Sequence, residues 1–92
     1  MTAPAPDVQA RVDALLRRQT DGLSPREAAY LLAVAANRAA GELHRLARQE
    51  STALRGTDEW GDWAALQNAS RSVVLQSSTC RDLAARLSGR AR

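Results

Sequence analysis

The sequence predicts an all-α protein: a short N-terminal helix plus a long antiparallel helical hairpin, together a three-helix bundle expected to dimerise. Three observations predict it. Residues 26–55 hold no proline and a single glycine, Gly41, within an Ala-, Leu- and Arg-rich run. A second proline-free run, 58–88, follows a Gly56-Thr57 break. In both, apolar residues recur at three- and four-residue spacing, the period of a helix with one buried face.

The elements follow in order. Residues 1–6 carry Pro4 and Pro6 among small residues, which reads as a disordered or extended leader. A helix then starts near Asp7 and places Val8, Val12, Leu15 and Leu16 on one side. It should close at Thr20-Asp21-Gly22, where glycine can take the left-handed conformation that ends a helix. Ser24-Pro25-Arg26-Glu27 is the sharpest local signal: Ser24 as N-cap, Pro25 at the first helical position, Glu27 reaching back to complete a capping box.

The second helix is read as running to Arg55. Ala28, Leu32, Ala35, Ala36, Ala39, Leu43, Leu46, Ala47 and Leu54 share one broad face, interrupted late by Glu50. Its other side is apolar early, at Tyr30, Leu31 and Val34, and basic late. The first helix should therefore pack on the early half. Gly41 costs roughly 1 kcal/mol relative to alanine in a helix and is expected at a close crossing or a slight bend. Asp58 is the expected N-cap of the third helix, with Leu66, Ala69, Val73, Ser77, Cys80, Ala84 and Leu87 along one stripe. A break at Ser77–Thr79 is the alternative to a continuous helix, because small polar residues lower helix propensity there. Residues 7–88 make a single domain, and 89–92 a basic tail.

The composition limits the core. In a chain of 92 residues with no Phe, one Tyr and two Trp, much of the hydrophobic content is alanine. Domains this small bury a modest fraction of their surface and are marginal alone. At 1.5 Å per residue the two long helices reach about 45 Å each and the first only about 20 Å. The short helix is too small to cover the hairpin, so a second chain or another protein is expected on the remaining apolar stripe. The expected contact residues are Leu43, Leu46, Leu66, Val73, Leu83 and Leu87, with Trp60 and Trp63 as anchors.

Chemistry-bearing patterns are sparse. His44 is the only histidine and Cys80 the only cysteine, short of the three or four ligands a zinc site needs, so no metal or other cofactor is expected. His44 is read as an exposed residue of the polar face and Cys80 as a buried thiol. No Gly-x-Ser-x-Gly elbow or phosphate-cradling glycine loop is present, and the expectation is a non-enzymatic protein. The single cysteine, the lack of a signal-like N-terminus and the lack of a long apolar run suggest a cytoplasmic protein with no membrane partner.

Every one of the thirteen basic residues is arginine, and the net charge is +3. Arg38, Arg45, Arg48 and Arg55 form a row of candidate phosphate contacts, which makes a nucleic-acid-binding regulator the alternative to a protein-interaction or assembly module. Glu42 stands in the same row, so ion pairs with Arg38 and Arg45 explain part of it without a ligand. The segment Leu-Ser-Pro-Arg-Glu-Ala-Ala-Tyr-Leu-Leu at 23–32 resembles the opening of helix-turn-helix modules of the excisionase and LuxR types. Those modules need a turn and a new N-cap about where Val34-Ala35-Ala36-Asn37 stands, and nothing in those residues stops a helix. In length and hairpin shape the chain is also similar to the WXG family of secretion substrates, which carry Trp-x-Gly at the turn. Here the order is Trp60-Gly61.

Overall fold

The computed structural model describes residues 6–90 and is all-helical over them, with α1 at Pro6–Thr20, α2 at Pro25–Ala53 and α3 at Trp60–Gly89. The leader expected over 1–6 lies outside the described residues, apart from Pro6, which opens α1. Of the basic tail, 91–92 lie outside as well, and Arg90 caps α3.

Local chemistry sets the ends of α1 and α2. Gly22 has φ +78 and the Leu23 N–H reaches the Thr20 carbonyl at 3.1 Å, so the chain turns where the sequence places a helix stop. Both halves of the capping box are made. The Ser24 hydroxyl accepts from the Glu27 N–H at 3.3 Å, and the Glu27 carboxylate accepts from the Ser24 N–H at 3.3 Å. α2 runs unbroken through Val34–Asn37, so no second N-cap of a helix-turn-helix forms. It ends at Ala53, two residues before Arg55, because Leu54 caps it and Gly56 at φ +87 redirects the chain. A Cβ on Gly41 would meet nothing within 4 Å, so the expected close crossing does not occur there.

α3 starts later than expected. Asp58 is not its N-cap: the Thr57 hydroxyl donates to the Leu54 carbonyl at 2.7 Å and the Trp60 N–H to the Thr57 carbonyl at 3.2 Å, and this extra turn delays the helix. Glu59 takes the cap position without a side-chain bond. The helix is then continuous through Ser77–Thr79. There the Ser77 and Thr79 hydroxyls bond back to the Val74 and Leu75 carbonyls at 3.1 and 3.5 Å, satisfying themselves without opening the backbone ladder.

α2 and α3 pair as an antiparallel hairpin. Only the end of α1 approaches the first half of α2, where Leu15, Leu16 and Leu23 line an open groove with Tyr30, Leu31 and Val34; Val8, Val12 and Leu15 stay about half exposed, so the packing expected of the first helix is made only in small part. The Cα atoms span 55 × 28 × 13 Å. Domains bury their apolar faces between packed layers, yet among the described residues the buried apolar side chains of this protomer are only Ala40, Ala47 and Ala84. Among the described residues no helix is long and apolar enough to cross a membrane.

Candidate interaction surface

What lies inside the hairpin is small or polar. Ala40, Ala47 and Ser51 of α2 and Ser70, Ser77 and Ala84 of α3 are its buried residues, with Ala47 at 0% and Ser70 at 1% exposure. Together with Asn37, His44, Val74 and Arg81 they recur at alternating four- and three-residue steps, the spacing of a supercoiled pair. Small side chains at such positions let the helices approach closely.

Hydrogen bonds then fix the register. The Asn37 side-chain N–H groups donate to the Ser77 and Ser78 hydroxyls at 3.0 Å each and to the Val74 main-chain carbonyl at 3.3 Å, while the Arg81 guanidinium donates to the Asn37 side-chain oxygen Oδ1 at 3.0 Å. The Ser51 hydroxyl donates to the Gln67 side-chain oxygen at 2.7 Å. His44 Nδ1 lies 3.1 Å from the Gln67 main-chain carbonyl, which only accepts, so the network assigns the proton to Nδ1. Its second contact, at 3.2 Å, is the Ser70 hydroxyl. Arg26 ties the open end by donating to the Leu87 carbonyl at 3.0 Å. Among the described residues no buried side-chain polar atom lacks a partner.

This seam corrects two expectations. His44 is half-buried between the helices rather than standing on a wet face, because its turn of α2 points at α3. Cys80 is exposed rather than buried, because the small residues Ser77 and Ala84, one turn away on either side, take the inward positions. The polar seam itself was missed by sequence reasoning, which followed the leucines. Its signal was the four-three recurrence of Ala, Ser, Asn and His.

The leucines lie outside. At 100° per residue, Leu32, Ala36, Ala39, Leu43 and Leu46 flank the α2 seam on one side, and Leu66, Ala69, Val73, Cys80, Leu83 and Leu87 flank the α3 seam on the corresponding side. In an antiparallel pair, corresponding sides of the two helices fall on the same face. The two stripes therefore join into one apolar face along the whole hairpin, opposite neither helix of the protomer. Leu43, Leu46, Val73, Leu83 and Leu87 are each between 40% and 50% exposed, and only Leu66 of the six expected contact residues is half-buried. Trp63 is half-buried at the seam near the turn. Trp60 is exposed and falls on the other side of α3, apart from the leucines.

The arginine row lies away from this face. Arg38, Arg45, Arg48 and Arg55 are all exposed. Arg45 pairs with Glu42 at 2.9 Å, and among the described residues Glu42 makes no such pair with Arg38. Hydrogen bonding from Arg45, then its charge, holds the Glu42 carboxyl below its ordinary value. Any stability from that pair is present above the ordinary carboxyl value and fades as pH falls through the lowered one. Both groups are fully solvated, so the contribution is minor. No group of three or more metal-ligating side chains occurs among the described residues.

No protein-family profile, no curated protein and no solved structure matches the chain.

Proposed function

We propose that this chain is a small, cytoplasmic, non-enzymatic assembly module that self-associates through the leucine face of its hairpin. The observation that carries the reading is the inversion of the hairpin: alanine and serine are inside and leucine is outside. An isolated protomer leaves Leu43, Leu46, Val73, Leu83 and Leu87 about half in water. Full burial of such a side chain is worth about 1.5–3 kcal/mol, so each retains roughly 1 kcal/mol to be gained on contact. A polar seam gives the hairpin its register, and a leucine face gives it a reason to associate. Light scattering at micromolar concentration tests the reading. A particle of twice the chain mass is expected, and a single-chain mass removes the self-association.

A second reading, nucleic-acid binding, is favoured by one observation: Arg38, Arg48 and Arg55 are exposed and carry no carboxylate partner among the described residues. Binding to duplex DNA or RNA through this row would weaken steeply with salt, and Arg48→Ala would reduce both the affinity and the salt slope. Absence of binding at low salt disposes of this reading.

A further inference from the structure

We infer that the second copy lies antiparallel to the first, face to face, with the turn of each hairpin over the open end of the other. This rests on the self-association proposed above and goes beyond it by assigning the partner's orientation. The leucine face is large enough for such a partner. Two helices about 45 Å long, with axes 8–10 Å apart, present about 800 Å², the amount each side of a standard interface buries.

Charge decides between the two ways in which a two-fold axis can stack these faces. The turn end carries Glu50 and Asp62 on the rim of the face, one from each helix, with Asp58 and Glu59 beside them. The open end carries Arg90 at the close of α3, at the outer edge of the face, while Arg86 falls on the other side of the helix. Among the described residues neither Asp62 nor Arg90 is engaged in an ion pair within the chain. Parallel stacking puts α2 over the partner's α3 with like ends together, so the Glu50 of one copy meets the Asp62 of the other. Antiparallel stacking puts each helix over its own counterpart and brings the acidic start of α3 to the partner's Arg90. Like charges at a rim disfavour the first arrangement, and opposite charges favour the second.

The shapes agree with the charges. With the two-fold near the middle of α2, Ala39 faces its own counterpart, Leu43 falls against Ala35 and Ala36 of the other copy, and Leu32 meets Leu46. Large side chains thus meet small ones near the axis, where two leucines on each side would hold the layers apart.

The test is a distance between turns. A spin label on Arg55→Cys, in a Cys80→Ser background, reports the separation of the two turns by pulsed dipolar spectroscopy. Arg55 is exposed and Cys80 is the only native thiol; because Cys80 stands on the leucine face, the nearly isosteric Cys80→Ser protein is first required to keep the dimer mass. A separation of about 45 Å or more is expected, the length of the hairpin. A separation below about 25 Å, one layer spacing plus the labels, overturns the antiparallel orientation while leaving self-association standing. An unpaired, single-chain species overturns both. As an independent check, Asp62→Arg should weaken the dimer severalfold and Arg90→Glu in the same chain should restore it; failure of the pair to restore overturns the end-to-end charge match.

Discussion

Leu43→Glu combined with Leu46→Glu is expected to convert the protein to a single-chain species with a melting temperature that no longer depends on concentration. Both leucines stand on the hairpin face and are 40% and 45% exposed in the protomer, so within one chain each substitution gives up part of its leucine's burial, on the order of 1 kcal/mol. In a two-fold assembly each is counted twice. Four half-exposed leucines lose about 4 kcal/mol of burial, and four carboxylates resist desolvation besides, which together weaken association more than a thousandfold. Leu75→Glu is the matched control. Leu75 is 65% exposed but lies on the other side of α3, and its replacement is expected to leave the mass unchanged. If the two variants behave alike, the leucine face has no special role. Size-exclusion chromatography with light scattering reads both.

Ala47→Leu is expected to damage the fold itself. Ala47 is fully enclosed between α2 and α3, and the added side-chain atoms have no space that the seam can give without moving the helices apart. Overpacking of this kind costs about 1–3 kcal/mol. Separating the helices here also strains the neighbouring Ser51–Gln67 bond of 2.7 Å and the His44 contact with the Gln67 carbonyl. Each bond lost adds about 1 kcal/mol. Ala53→Leu, at an exposed position at the end of the same helix and past Leu46, the last α2 residue of the leucine face, lacks this cost. Urea denaturation of the two variants should separate them clearly, and an Ala47→Leu protein as stable as the native one would contradict the observed seam.

These two substitutions also show where the sequence was legible. The capping box at Ser24–Glu27 and the turn at Gly22 were readable because each is specified by adjacent residues with one dominant geometry. The hairpin was readable from run length, and the reach of α1 from its brevity. The identity of the inner face was not. Leucine is the stronger hydrophobe, and a reading weighted by hydrophobicity names Leu43 and Leu46 as partner contacts but leaves the residues between α2 and α3 unidentified. Here close approach between helices favours Ala40, Ala47, Ser70 and Ser77 instead. That choice depends on a long-range pairing, Asn37 with Ser77 and His44 with Ser70, which becomes visible only when both helices are in register. The start of α3 was misplaced for a local reason: Asp58 is a good cap in isolation, but the bonds from Thr57 to Leu54 and from Trp60 to Thr57 make a competing turn first.

The assignment of His44 and Cys80 follows the same logic. Each was judged by its own chemistry and immediate neighbours, whereas its burial is set by rotation of the helix about the seam. Once Ser77 and Ala84 point inward, Cys80 must lie to one side, among the leucines of the exposed face. In the proposed assembly that face is covered, and the thiol goes with it.

In the proposed assembly a second copy covers the leucine face that the hairpin leaves outside. Sedimentation equilibrium over a hundredfold range of concentration tests this most directly. A monomer–dimer equilibrium with twice the chain mass at the upper end is expected. A single-chain mass across the whole range, for a protein that is fully helical and cooperatively folded throughout, would contradict it.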